Sequence, residues 1–269
     1  MQTPHIDQVI VQLETIISDA IQSRSREGYF AALYHKVTCK VRDGILAGDF
    51  EDGARMELFD VLFANRYLDA RTHWKNKQEV STSWKMAFEM TEKSGIIILQ
   101  HLLLGINAHI NLDLGIAVVE LARQRNHSLD VLRKDFNAIN TILAALSYEV
   151  INELNQMSPL LSLAGLHANN NSMFIQFALS NARDGAWCFA EDLYTKSGTG
   201  YPALIKQRDL GIATLGTGIA QTKGLMKFTM FFMYLFEWKN PARIIQVLHQ
   251  YKKSYFKISR KSFLKKHTV

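Results

Sequence analysis

The chain of 269 residues predicts an all-α fold, a multi-helix bundle in a single domain, and three observations carry that expectation. Apolar residues recur at three- and four-residue steps along most of the chain, as one face of an amphipathic helix requires. No segment alternates apolar and polar residues between hairpin turns, so no strand is expected. Only four prolines and fifteen glycines interrupt the chain, which favours long elements over many turns.

The elements follow in order. A first helix fits residues 6–24. In "YFAALYHKVTCKVRDGIL" the residues Phe30, Leu33, Tyr34, Val37, Val41 and Ile45 mark one helical face, and "ARMELFDVLFANRYLDARTHW" repeats the pattern with Met56, Phe59, Phe63, Tyr67 and Trp74. A helix over 81–93 precedes the apolar stretch "LQHLLLGINAHINLDLGIAVVELA", Leu99 to Ala122. "SLDVLRKDFNAINTILAALSYEVINELNQM" is long and periodic, with Ser128 placed as N-cap and Pro159 just past the end. Further helices fit 171–196, 202–220 and 225–250, the last interrupted at Asn240-Pro241, because a residue before proline avoids the helical region. The connectors "GDFEDG", "SGTGYP" and "HANNNS" are short. The expected division is a helical domain over 1–251 and a basic extension over 252–269.

Composition excludes several classes. Hydrophobic residues make up 48% and charged residues 21%, the balance of an ordinary globular chain. The net charge of +6 is uneven: Lys252 to Lys266 holds seven Lys or Arg and no acid. The rest is near neutral, so no specific nucleic-acid partner is expected. The opening stretch lacks a basic region followed by a continuous apolar core, so no secretory signal is expected. Cys39 and Cys188 stand far apart without metal-type spacing, which fits a reducing cytoplasm. No run of eighteen clean apolar residues is legible, so a membrane-spanning segment is not expected.

Chemistry gathers in "LQHLLLGINAHINLDL". Positions four apart share a helical face, so His101, Gly105, His109 and Asp113 form one column and Asn107 with Asn111 a second. Two imidazoles and a carboxylate are ligand types for a divalent metal such as zinc, iron or manganese. Gly105 leaves open space between the histidines. Glu57 and Asp60, three apart, would complete a two-histidine, three-carboxylate set between packed helices. Neither Glu-x-x-His nor His-Glu-x-x-His is present. A second reading makes His109 and Asp113 a general acid/base pair on a small-molecule ligand, hydrolase-like, with Glu57, Asp60, Asn107 and Arg183 as binding groups. A third makes the cluster purely structural, with Asp113 capping a helix that begins at Leu114 and the buried groups paired among themselves.

Other side chains carry less. His35 and His73 are expected on solvated faces. Trp84, Trp187 and Trp238 are expected as core or interhelical filler. Cys188 is expected as a packed thiol, and Arg183 as a partner for an acid of the first cluster. Gly216-x-Gly218 has no preceding strand and is no phosphate loop. The tail "YKKSYFKISRKSFLKK" interleaves aromatic residues with lysines, a composition that an anionic membrane surface would accept. The alternative is a solubilising extension.

Three segments, "GDFEDG", "DVLFANRYL" and "AHINLDL", together with the region of Arg183 to Trp187, resemble a family of bacterial proteins known only as a domain of unknown function. Its members share an F-E-D segment, a D-V-x-F-A-N-R-Y-L run and an A-H-I-N-x-D-L signature, and the match spans residues 28–120 well. The resemblance implies a helical fold and points to His109 and Asp113, without implying a reaction. Members often carry proline at the position of Gly115, which implies a helix start just after Asp113.

Overall fold

The computed structural model describes residues 5–164 and 168–250, with the side chains of 162–177 left aside. The described residues form an all-α multi-helix bundle without a strand. The helices are α1 (Ile6–Ser23), α2 (Gly28–Ala47), α3 (Gly53–Lys75), α4 (Thr82–Glu92), α5 (Ile98–Ala108), α6 (Leu114–Arg125), α7 (Asp130–Met157), α8 (Ala168–Tyr194), α9 (Gly200–Ala220), α10 (Gly224–Phe236) and α11 (Pro241–His249). A π-helical turn, His109–Asp113, joins α5 to α6, and a 3-10 turn, Pro159–Ala164, follows α7. The basic extension expected over 252–269 lies outside the described residues.

Local chemistry explains most boundaries. Asp52 caps α3, its carboxylate accepting from Arg55 N at 2.9 Å, and Asn240 caps α11 with Pro241 in the first turn. At the end of α2, Gly48 takes φ 75°, and Asp49 N returns to Gly44 O at 3.0 Å. Two expected caps are absent. Ser128 does not cap α7, which starts at Asp130 behind Leu129 with no side-chain cap bond, because Asn126 (φ 51°) turns the chain directly out of α6. Asp113 does not cap α6 either: it sits at φ −69°, ψ −35° inside a helix that passes straight through it.

That continuous helix, α5 through the π turn to α6, is the centre of the bundle, packed by α2, α3, α4, α8 and α9. Taken as one element, Ile98–Arg125 is long and apolar enough by length and composition to cross a membrane, which the sequence reading did not anticipate. Yet 78% of its most apolar window is buried against the other helices, the property of a core helix. Around it, α1 and α11 cover one side of α2. They bury His35, which lies 3.4 Å from Glu14 and packs its ring against His249 at 4.7 Å, so it is not solvated as expected. His73 is exposed. Cys188 is exposed rather than packed, on the outer face of α8 between buried Trp187 and Phe189.

The ends of several helices are held by carboxylates from other helices. Glu57 of α3 accepts from Ile6 N at 3.3 Å, and Asp209 of α9 accepts from Thr82 N and Ser83 N at 2.6 and 2.9 Å. Glu237 accepts from Ile98 N at 3.2 Å. Asp135 of α7 takes Glu51 N and Asp52 N at 2.6 and 3.3 Å and the Arg55 guanidinium at 2.6 Å. Each satisfies otherwise orphaned amides at the positive end of a helix dipole, although burial raises the Glu237 carboxyl pKa to about 7.

Gly115 marks a close approach to the backbone of α8 in the centre. A Cβ there would meet Ala186 O and Phe189 Cδ1, both at 2.7 Å, and the first is backbone that cannot rotate away. Gly115→Ala is therefore expected to destabilise the protein by about 1–3 kcal/mol, the range for overpacking. Thermal unfolding checks it, and an unchanged midpoint would contradict so close a contact between α6 and α8.

Candidate functional site

The π turn His109–Asp113 builds the site. Leu114 N reaches back five residues to His109 O, so one residue is inserted into the helical ladder. Such turns occur mostly as single insertions and often mark functional positions. Here the turn packs against α3, α8 and α9, and the His109 and Asp113 side chains are buried. His109 Nδ1 lies 3.2 Å from Asp113 Oδ2, and the same oxygen accepts from Trp84 Nε1 at 2.7 Å. Arg66 of α3 forms an ion pair with the other carboxylate oxygen, Nε to Oδ1 at 3.5 Å, and a second with Glu120 at 3.4 Å. The carboxylate is thus satisfied by α3, α4 and the π turn together.

Aromatic rings fix the imidazole. Phe63 stacks on it with centroids 3.7 Å apart and planes 6° from parallel, and Tyr34 meets it edge-on at 4.6 Å. Desolvation pushes the His109 pKa down, against the opposing pull of Asp113, so the ring stays neutral at neutral pH. With Asp113 accepting from Nδ1, the remaining nitrogen is a hydrogen-bond acceptor. That Nε2 is buried and has no partner.

His109 is part of the wall of a cavity of about 150 Å³ between α2, α3, α5, α7 and α8. The lining is almost wholly apolar, from buried Leu102, Leu146 and Ile151 out to partly exposed Leu103. Its polar groups include Asp60, His109 and Arg183. Asp60 is fully buried with no cation beside it, and desolvation alone raises its carboxyl pKa to about 7; its Oδ2 has no partner. Arg183 has partners: it donates to Phe136 O and to Asn140 Oδ1 (2.7 Å), and lies over the Phe136 ring at 4.2 Å. Burial lowers its pKa to about 10.

The predicted residues divide accordingly. Asp60, His109 and Arg183 face one cavity, with Asp113 directly behind His109. Arg183 does not pair with an acid of the cluster as expected, because Asn140 and Phe136 of α7 lie nearer and take its donors. His101 does not join His109. A Cβ built on Gly105 would fall inside the Phe30 ring, so the space expected between the histidines is occupied by Phe30. His101 lies instead edge-on to Tyr29 at 5.6 Å, and burial pushes its pKa down to about 3. Glu57 turns away from Asp60 to hold the start of α1 and lies 3.5 Å from His5. Asn107 faces α9, donating to Ile212 O at 2.9 Å and accepting from Asn111 at 3.0 Å. The five-residue metal set therefore does not assemble. Among the described residues no group of three or more His, Cys, Asp or Glu could hold a metal ion.

Sequence reading missed Trp84, Arg66, Phe63, Tyr34 and Phe30. A signal existed for two of them. Asp60, Phe63 and Arg66 stand three apart within "DVLFANRYL", and that spacing turns all three toward "AHINLDL". Trp84, Phe30 and Tyr34 come from other helices, where the sequence marks them as packing residues but not as neighbours of His109 and Asp113.

Two outcomes follow. Trp84→Phe leaves buried Asp113 one donor short and opens space where the indole's second ring was, and should destabilise the protein by at least about 1–3 kcal/mol in denaturant titration. For Asp60, the unfolded carboxyl releases its proton near 3.8 while the folded one keeps it to about 7. The folded state binds more protons between those values, so Asp60 makes stability fall as pH rises through that window. Asp60→Asn removes this slope and should gain on the parent protein by up to about 1.4 kcal/mol per pH unit, levelling off above 7. Melting curves from pH 4 to 8 test it, and a constant difference would refute it.

Comparison with known proteins comes to one result. A family described as a family of unknown function (DUF5995) matches residues 6–222. No curated protein and no solved structure matches the chain.

Proposed function

The chain belongs to the family of unknown function DUF5995, and on that premise we propose that it binds a small, predominantly apolar molecule in the His109 cavity. One observation carries the reading: a neutral imidazole, held in one tautomer by a buried carboxylate and with its other nitrogen unpartnered, lines a largely apolar cavity. A buried acceptor left bare costs about 1–3 kcal/mol, and a ligand hydroxyl or amide would recover that. Apolar-lined holes of about 150 Å³ take up benzene-sized molecules. The ligand is therefore an uncharged compound of one ring or a short chain with a single hydrogen-bond donor. Asp60, near the midpoint of its titration at neutral pH, can donate to or accept from the same head group. An anionic head is disfavoured, because the guanidinium of Arg183 is already engaged.

The His109–Asp113 pair supports a second reading, in which the bound molecule is also a substrate. A carboxylate on Nδ1 that orients the ring and leaves Nε2 as acceptor is the arrangement of a general base. Nε2 would take the proton of a bound hydroxyl or water, and Asp113 would stabilise the imidazolium that forms.

Calorimetric titration of delipidated protein with phenol, a single-ring probe with one hydrogen-bond donor, tests binding. The full chain is expected to take up the probe, and Val150→Phe, which fills the cavity from α7, to abolish uptake while the protein stays folded. Native mass spectrometry of the purified protein should show a bound small molecule that the same variant loses. Probe binding untouched by Val150→Phe would refute the site. Retained ligand binding in His109→Gln, together with lost turnover of that ligand, would select the second reading.

A further inference from the structure

The helix α10 presents a surface that the cavity does not explain and that lies beyond residue 222, where the family match ends. Leu225, Phe228, Phe231, Phe232, Leu235 and Phe236 are each between 51 and 82% exposed. Their spacing of three and four gathers them on one side, while Met233 is buried on the other. A contiguous apolar stripe of this size on a folded protein marks an interaction site.

Charge identifies the partner. From Gln221 onward the sequence holds eleven Lys or Arg against one acid, Glu237, whereas the first 220 residues hold four more acids than bases. Glu237 is buried and occupied by Ile98 N, so it offers nothing to offset those cations. Lys223 and Lys227 are exposed at the start of α10. At its other end Lys239 lies over the Tyr234 ring at 3.4 Å and Arg243 over the Trp238 ring at 3.9 Å. Tyrosine, tryptophan and long basic side chains have amphipathic bodies suited to the level of lipid head groups.

We propose that the outward face of α10 docks this protein on an anionic lipid membrane surface, its phenylalanines entering the interface and its basic flanks meeting the head groups. The helix has 13 residues, short of the roughly 20 needed to cross the hydrocarbon core, so it lies along the surface. An apolar face and a polybasic segment are the two signals that together give stable peripheral attachment. A second copy is the weaker occupant, because a two-fold contact through the same patch would set the cations at one end of α10, Lys223 and Lys227, against those past the other end of its counterpart, Lys239 and Arg243.

Flotation of the full chain with large unilamellar vesicles tests this, comparing phosphatidylcholine alone with phosphatidylcholine containing phosphatidylglycerol. The protein is expected to float with the anionic vesicles, to stay behind with the neutral ones, and to release at high salt. The bound fraction should fall about ten-fold in Phe228→Ser/Phe232→Ser and in Lys223→Glu/Lys227→Glu, in line with the apolar and electrostatic contributions to interfacial binding. Both variants alter exposed side chains, so unchanged circular dichroism and melting midpoint confirm that they remain folded. Absence of flotation with anionic vesicles overturns the proposal. So does flotation abolished by deleting residues 251–269 yet untouched by the serine variant, which would assign attachment to the basic segment. A lipid-free dimer in size-exclusion chromatography with light scattering, abolished by the serine variant, would assign the face to a second copy and overturn it equally.

Discussion

A buried carboxylate tolerates few environments, and that of Asp113 organises the middle of this protein. Its side chain is 2% exposed, so its charge must be met by donors brought from elsewhere. The indole of Trp84 and the imidazole of His109 meet one oxygen, and Arg66 meets the other. These groups come from α4, the π turn and α3. Their convergence fixes how α3 and α4 lie on the central helix, and it also fixes which nitrogen of His109 is left free. Architecture and candidate chemistry share one constraint. Removing any one donor leaves a charge with too few partners, which is why the cluster behaves as a unit.

The same logic recurs around the bundle. The carboxylates of Glu57, Asp135, Asp209 and Glu237 each reach the start of another helix. In a bundle with few turns, helix ends fall inside the packed structure, and their free amides need acceptors that local caps do not supply. Long-range carboxylates do this and pin one helix end to another. Asp60 is the exception that gives the pattern meaning. It is as buried as the others, has neither amide nor cation beside it, and faces the cavity. A carboxyl left in that position raises its own pKa instead of finding a partner.

The cavity and α10 divide the molecule into two kinds of surface. Inside, apolar walls and an arginine already engaged by α7 suit an uncharged guest. Outside, Lys223, Lys227, Lys239 and Arg243 flank an apolar stripe, in the part of the sequence where cations outnumber acids. The two readings rest on different parts of the molecule and do not depend on each other.

The all-α class and nearly every helix were legible in the sequence, because a period of three to four residues records which face is buried, and burial is what the amphipathic pattern encodes. Asn107 and Asn111 were also placed on a face away from His109, and the structure turns them to α9. The pairing of His109 with Asp113 was legible for the same reason, since residues four apart meet within one element. Helical periodicity could not separate His101 from His109. Both stand in one column, and only the ring of Phe30, delivered by another helix, divides them. Nor could it reveal the π turn, because an inserted residue uses the same side chains as an α-helix. Glu57 and Asp60 share a stretch of sequence but serve different neighbours, the start of α1 and the cavity. What lies along one helix, the sequence determined by itself. What meets between helices, including Trp84 and Arg66 on Asp113 and the cavity beside His109, was decided by tertiary packing, because those contacts depend on the relative placement of elements that no local pattern specifies.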